Sequence, residues 1–282
     1  MISVVVPACN EGRVIGRLLD RLVSSAAPGE LEVVVVANGC TDDTADVAAG
    51  FGAPVRVLTV GAASKPDALA IGDRATRGGF PRVFVDADVE LGIEDLRALR
   101  DALQRPGVLA AAPERELPMT GRPWPVRWWY DVWVRLPEVR RGLFGRGVIA
   151  FGEAGHARIA DMQRVLADDL AISLAFAPEE RAVVPEARSV VHPPRTFADL
   201  MRRRVRTVVG IAQLGRTAAA PDAGPARTTP SDLLAMVRKD PRLAPRVAFF
   251  MAMAVAARML ARRAVRRNDY STWLRDESSR QE

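Results

Sequence analysis

The first 112 residues alternate short Val-rich runs with stretches of helical character, and this alternation constrains the fold more than any other feature of the chain. Ile2-Ser3-Val4-Val5-Val6-Pro7 and Leu31-Glu32-Val33-Val34-Val35-Val36-Ala37 are continuous in β-branched residues and short, the pattern of strands buried on both faces. Val55 to Val60 and Arg82 to Val85 read the same way, with a further strand expected at Val108 to Ala112. Helices are expected from Gly12 to Ser25, Thr41 to Ala49, Ser64 to Arg77 and Ile93 to Gln104. Strands alternating with helices imply βαβ units, so the expected class is α/β with a doubly wound, mostly parallel, Rossmann-like sheet. Ligands of such sheets bind beyond the carboxyl ends of the strands. Those ends are where Asn10-Glu11, Asn38-Gly39 and Asp86-Ala87-Asp88 fall.

The pattern then changes. Trp124, Trp128, Trp129 and Trp133 cluster with Tyr130 between Pro123 and Pro137. The i, i+4 spacing of Trp129 and Trp133, with Val126, Tyr130 and Val134, suggests one apolar helical face. Gly142 to Gly147 reads as a flexible loop before an apolar strand, Val148 to Phe151; a helix bearing Asp168-Asp169 and a strand pair around Val183 and Val190 follow. Phe197 to Arg216 is expected to be helical, and Ala218 to Pro230 is rich in Ala, Pro, Gly and Thr, as linkers are. The apolar run Val247 to Ala257 lies between Arg246 and Arg258, Arg262, Arg263, Arg266 and Arg267. It is shorter than the roughly 20 residues a bilayer span requires, but an arginine-flanked helix of this kind suits the membrane interface.

Charge is unevenly spread. The net charge is +6, yet Arg195 to Glu282 carries 18 Arg/Lys against 8 Asp/Glu, leaving about −4 for the residues before it. A basic tail suits nucleic acid, an anionic membrane surface or phosphates. The aromatic-interleaved basic patterns of RNA-binding modules are absent, so nucleic acid is set aside. Cys9 and Cys40 provide no disulfide framework and no metal-site spacing, which points to a reducing compartment. The N-terminus opens straight into a strand, without a charged region or cleavage site of a secretory signal. A cytoplasmic location is expected, peripheral on the cytoplasmic face of the membrane.

Several positions carry chemistry. On extended backbone Asp86 and Asp88 point to the same side, and two carboxylates that close need a positive partner. A divalent cation, Mn2+ or Mg2+, bridging to a diphosphate meets that need. Asp168 and Asp169 at a helix start point about 100° apart, so one can face a substrate while the other caps. Arg203 and Arg206 share a helical face, and guanidinium forks suit diphosphate. Lys65, one of only two lysines, stands near the strand ends and suits a phosphate or nucleotide. His192 follows a strand; a metal-ligand role is the minor reading beside packing or a loop hydrogen bond.

Taken in order, these features resemble the family 2 glycosyltransferases across roughly residues 1–210. Pro7-Ala8-Cys9-Asn10-Glu11 is similar to that family's Pro-x-x-Asn-Glu opening, and Ala37 to Thr44 to its Asp-Gly-Ser-Thr-Asp-x-Thr block. Lys65 to Gly72 is similar to Gly-Lys-x-x-Ala-Leu-Asn-x-Gly. Asp86-Ala87-Asp88 stands where the metal motif is expected, Asp168-Asp169 at the Glu-Asp pair, and Arg203 to Thr207 at Gln-x-x-Arg-Trp. The resemblance implies a GT-A-like domain over 1–216, with a nucleotide-binding half (1–112) and an acceptor-side half (113–216). A linker (217–230) and a basic helical C-terminal extension (231–282) would follow. It implies inverting, metal-dependent transfer from a UDP- or GDP-sugar to an acceptor hydroxyl, the acceptor being unspecified and plausibly lipid-linked. Asp169 would be the catalytic base and Asp88, helped by Asp86, the metal ligand. Pro7, Ala8, Asn10, Glu11, Asn38, Lys65, Asp86, Arg203 and Arg206 would bind the donor.

This sequence departs from the pattern at Cys9, where an aromatic is common, at Asn38, where Asp is usual, and at Arg203 and Thr207, which replace Gln and Trp. The last two disfavour a processive synthase. Two other classes compete: a sugar-phosphate nucleotidyltransferase, for which Asn10-Glu11-Gly12-Arg13 is a poor glycine-rich loop, and a non-catalytic nucleotide-binding or membrane-docked module. A dinucleotide oxidoreductase is disfavoured because no Gly-x-Gly-x-x-Gly follows a strand.

Overall fold

The computed structural model describes residues 1–160, 169–214 and 228–266. Its strands are β1 (Ile2–Ala8), β2 (Leu31–Asn38), β3 (Val55–Val60), β4 (Arg82–Val85), β5 (Val89–Glu90), β6 (Ala110–Glu116), β7 (Val148–Phe151) and β8 (Arg181–Val191). The helices are α1 (Gly12–Val23), α2 (Thr44–Ala49), α3 (Lys65–Ala75), α4 (Ile93–Leu103), α5 (Trp124–Trp133), α6 (Pro137–Arg141), α7 (Glu153–Ala160), α8 (Asp169–Leu174), α9 (Phe197–Leu214), α10 (Pro230–Lys239) and α11 (Ala244–Arg266). Contacts group them into two compact units, one of residues 1–117 and 143–192, the other of 118–142 and 193–282. The cuts between these units fall near 117, 142 and 192. Most of the expected linker, 217–227, lies outside the described residues, as does Asp168.

In the first unit the described strands form one mixed sheet in the order β3-β2-β1-β4-β7-β6-β8-β5. β3, β2, β1 and β4 run parallel. β7 is antiparallel to both β4 and β6, β8 is parallel to β6, and β5 is antiparallel to β8. The continuous Val runs have the reason expected of them: both faces of the sheet are covered. Val4, Val6, Val33 and Val35 join Ile15, Leu18, Leu19 and Leu22 of α1 and Leu96 and Leu99 of α4 in one core. Val34 and Val36 face the other way, against Ala68 of α3. Gly72 lets α3 approach: a Cβ there would stand 2.5 Å from Val5 Cγ1 and 2.9 Å from Val36 Cγ2.

Three expectations are corrected. The strand drawn at Val108 to Ala112 begins and ends later, at β6, because Gly107 takes a positive φ of 83° and closes a turn before it. The strand pair around Val183 and Val190 is one strand, β8, whose register to β6 slips between Pro113 and Glu114. The 142–147 loop is anchored: Arg146 is fully buried, its Nη1 donating to the Pro113 carbonyl at 2.9 Å and to Glu114 Oε1 at 3.1 Å.

In the second unit, α5 and α9 pack on α11. Trp129 stacks on Phe250 with centroids 4.2 Å apart, and the Arg204 guanidinium lies 4.7 Å over the Trp129 ring. Burial pushes that guanidinium down to about 10, with the Tyr130 hydroxyl working against it and the cations Arg203 and Arg258 adding to it. The buried side of α5 is Val126, Trp129, Tyr130 and Val132, so Val132 takes the place expected of Trp133 and Val134. The apolar C-terminal run is also longer than expected: Pro241–Arg262 is long and apolar enough by composition to cross a membrane, with mean hydropathy 1.5. One side of that helix is already occupied, since Val247, Phe250, Met253, Ala257 and Ala261 are buried within the protein.

Candidate active site

The carboxyl ends of β1 and β4 and the start of β7 converge with α3 and α8 around a cleft lined by Pro7, Lys65, Leu69, Asp86, Gly147 and Asp169. Burial alternates along the chain leaving β4: Val85, Ala87 and Val89 are buried, whereas Asp86, Asp88 and Glu90 are half-buried. Ala87 and Asp88 form a turn, the Val89 N–H donating to the Asp86 carbonyl at 3.4 Å, rather than the extended backbone assumed for the i, i+2 spacing. Lys65, the first residue of α3, reaches across to Asp86, Nζ to Oδ1 at 2.5 Å. Burial works against its ammonium, but Asp86 first, then Asp169 and Asp88, outweigh that and hold Lys65 well above the usual lysine range. Lys65 thereby interacts with three carboxylates, two that follow β4 and one at the start of α8.

Gly147 contributes what the sequence reading missed. Its carbonyl accepts the Asp86 N–H at 2.8 Å, fixing the backbone that carries both aspartates. Its φ is 65°, and a Cβ on it would stand 2.3 Å from Val89 Cγ1. The signal was present as the three glycines of the 142–147 loop, but nothing local to that loop relates it to Asp86, which lies 61 positions earlier in the chain.

The loops after β1 and β2 are tied to each other. Asn10 sits at φ 51°, its Oδ1 accepting the Thr41 N–H at 2.7 Å, a conformation Asn tolerates better than most residues. The Glu11 N–H donates to Thr44 Oγ1 at 2.8 Å. Asp42 accepts from Thr44 Oγ1 and from the Gly12 and Thr44 N–H groups. Burial raises the Asp42 carboxyl, and these hydrogen bonds, the Thr44 hydroxyl foremost, more than offset it and hold it below the usual carboxylate range. Cys9 and Cys40, in the same turns, form no disulfide; the Cys9 thiol donates to the Gly39 carbonyl at 3.9 Å and the Cys40 thiol to the Ala8 carbonyl at 3.4 Å.

Asn38 departs from the role expected of it. It is buried at 2% exposure. Its Nδ2 donates to the Ala8 carbonyl at 2.9 Å and its Oδ1 accepts from the Ser64 N–H at 3.1 Å. The amide cross-links β1, β2 and the entry to α3. Pro7 and Ala8 are likewise buried in β1; Pro7 still lines the cleft. Arg203 and Arg206 belong to α9 of the second unit.

His192 forms a hydrogen bond through Nε2 to Glu90 Oε1 at 3.0 Å, and Glu90 also pairs with Arg21 at 2.8 Å. In register it follows Val191, the partner of Val89, so it falls opposite Asp88. Among the described residues, no group of three or more His, Cys, Asp or Glu is assembled to hold a metal ion alone. The donors present are two hard carboxylates in the turn that follows β4. They fit Mg2+ or Mn2+, which keep coordination positions for water and phosphate oxygens, rather than a cation caged by protein.

A search of the curated proteins finds no match. The fold is shared with a mannosyltransferase from Pyrobaculum calidifontis, solved with GDP-mannose and Mn2+, at TM-score 0.59 and 21% identity over 99% of this chain and 84% of that one. It is shared too with glucosyl-3-phosphoglycerate synthase from Mycobacterium tuberculosis, solved with Mn2+, UDP and glucosyl-3-phosphoglycerate, at TM-score 0.57 and 22% identity over 79% of this chain and 82% of that one. These likenesses establish a GT-A glycosyltransferase architecture for a chain whose strand ends already gather Lys65, Asp86, Asp88 and Asp169. The sequence model of glycosyl transferase family 2 matches residues 3–161, more than half of the 282 residues, and the chain belongs to that family of glycosyltransferases.

Proposed function

We propose that the protein transfers a sugar, with inversion and one residue at a time, from a UDP- or GDP-sugar to an acceptor hydroxyl. The observation that carries this reading is the meeting of Lys65, Asp86, Asp88 and Asp169 at the carboxyl ends of the strands. Asp88 and Asp86, with His192 as the lesser candidate, would hold Mg2+ or Mn2+, which would stabilise the charge developing on the departing diphosphate. Lys65 supplies a fixed positive charge to the same leaving group. Asp169, at the first described turn of α8, accepts the proton of the attacking hydroxyl, so inversion follows from attack on the face opposite the diphosphate. Asn10 and Glu11, pinned through Thr41 and Thr44, shape the nucleoside end. The division of the chain into a nucleotide-binding half and an acceptor-side half is retained as part of this proposal. Arg203 and Arg206 do not enter it.

We take the acceptor to be lipid-linked and reached at the cytoplasmic face of a membrane. The support is charge: the second unit carries 23 Arg/Lys against 10 Asp/Glu, whereas the first carries 17 against 24. The fold of the two similar structures favours no acceptor class over another.

The test is thermal unfolding against nucleoside diphosphates and their sugars, with Mn2+, Mg2+ or chelator. A ligand at a hundredfold its dissociation constant adds about 2.7 kcal/mol, which raises the midpoint of a protein this size by roughly 5 °C or more. A metal-dependent rise that Asp88→Ala abolishes supports the donor site. A folded sample that no nucleotide shifts favours the non-catalytic reading.

A further inference from the structure

Seven of the eight large apolar side chains that stand exposed among the described residues belong to the second unit. Three of them line one side of α11: Met251, Val255 and Met259 are 51%, 50% and 54% exposed. With Ala248 and Ala252, also exposed, they repeat at helical spacing, and from Ala248 to Val255 about two turns of outward surface carry no charge before Arg258. The opposite side is the one buried on the protein through Val247, Phe250, Met253 and Ala257. α11 is therefore apolar on both sides. Only the inner side has a partner among the described residues.

Beside this surface stands an aromatic cluster. Trp124, 57% exposed, lies 5.0 Å from Trp128 and 5.3 Å from Phe249 of α11, centroid to centroid. Phe197, also exposed, extends the cluster at 6.5 Å from Phe249. Cations bracket it: Arg242 stands before the outward face, Arg258 and Arg262 near its end and Arg127 beside Trp124, all exposed. Half-exposed Trp with an apolar body and a polar N–H suits the headgroup level of a bilayer, and arginines there reach lipid phosphates.

We infer that the outward face of α11, with Trp124 and the bracketing arginines, is a docking surface for an anionic lipid bilayer, lying in the interface rather than crossing it. The strong positive charge of this unit selects the occupant. A second copy seated on the same face would bring Arg242, Arg258 and Arg262 against themselves, a like-charge arrangement, whereas anionic lipid neutralises them. Crossing is disfavoured because the inner side of α11 is committed to α5 and α9. The inference deepens the reading of a lipid-linked acceptor and rests on it only for the reason to be at a membrane.

The test uses the full chain with no donor or acceptor present. The expected result is co-sedimentation with vesicles of phosphatidylcholine plus phosphatidylglycerol, a blue shift of Trp emission, and little binding to phosphatidylcholine alone. The Met251→Ser/Val255→Ser/Met259→Ser variant should keep the parent's thermal midpoint and lose roughly tenfold or more in vesicle affinity, since the apolar area it removes supplies the insertion. Arg242→Glu with Arg258→Glu should remove the preference for phosphatidylglycerol. A parent that ignores phosphatidylglycerol vesicles, or a triple variant that binds them as well as the parent, overturns the inference. So does a dimer, seen by sedimentation, that the triple variant dissolves while neither form binds vesicles. Metal-dependent nucleotide shifts are read separately, so a protein that binds nucleotide and ignores vesicles sinks this inference and leaves the transferase reading intact.

Discussion

Lys65 is the residue on which the site's electrostatics turn. Its ammonium sits 2.5 Å from Asp86 and counters Asp169 and Asp88 as well. Lys65→Met should destabilise the protein in chelator by about 1–2 kcal/mol, because like carboxylates then lose their counter-charge in a half-buried cleft. Added Mn2+ should recover more stability in the variant than in the parent; equal midpoints for the two proteins in chelator would refute this electrostatic account. Asp169→Asn should lower turnover by about 10²–10⁴-fold while leaving the nucleotide-induced rise in midpoint in place, and near-normal turnover would remove Asp169 from the role of base. At this scale the position of the aspartates just past β4 was legible in the sequence, because the Val83-Phe84-Val85 run that precedes them is a local pattern, whereas the turn at Ala87-Asp88 was not. Asn38 was not, because its family position suggested a ligand contact while its burial depends on Ala8 and Ser64 arriving from elsewhere. Gly147 was invisible for the same reason.

Among the elements, α3 offers a test whose sign decides between local and tertiary effects. Gly→Ala at an exposed helix interior stabilises by about 1 kcal/mol. At Gly72 the added methyl would stand 2.5 Å from Val5 and 2.9 Å from Val36, both in the sheet core. Gly72→Ala is therefore expected to destabilise by about 1–3 kcal/mol, measured by denaturant unfolding, and a stabilised variant would show that α3 is free to move away. α4 is joined to the turn before β2 by Arg97, whose Nε and Nη2 donate to the two Glu30 oxygens at 2.7 and 2.6 Å. The Arg97 side-chain hydrogen bond holds the Glu30 carboxyl at about 2, below its ordinary 4.5. A depressed carboxyl stabilises the fold above its unfolded value and loses that contribution as pH falls through its folded one. The difference in midpoint between parent and Glu30→Gln should be present above pH 4.5 and shrink toward pH 2. A pH-independent difference would assign the effect to packing.

For the whole molecule, charge and apolar exposure are divided by unit. The first unit is acidic overall and holds the sugar-nucleotide chemistry proposed above; the second is strongly basic and carries most of the exposed large apolar side chains. Outward substitutions on α11 and substitutions at the cleft fall in different compact units, so their effects should be additive. The Met251→Ser/Val255→Ser/Met259→Ser variant is expected to show the parent's metal-dependent nucleotide shift to within about 0.5 kcal/mol. A larger change would mean that the two functions are coupled.

The sequence by itself determined the β1–β4 half of the sheet and its helices, because Val runs and amphipathic spacing are periodicities readable within ten residues. It also determined the polar character of the strand ends and the basic character of the C-terminal third. Only the tertiary structure decided that β8 is one strand bent at a register slip, that 142–147 is pinned by a buried arginine, and that α5 joins α9 and α11 rather than the residues that flank it. Each of these depends on partners 30 or more positions away, as Ser189 Oγ is from the Arg146 carbonyl and Phe250 is from Trp129. A local pattern states which face of an element is apolar; what that face meets is settled when distant segments close on it.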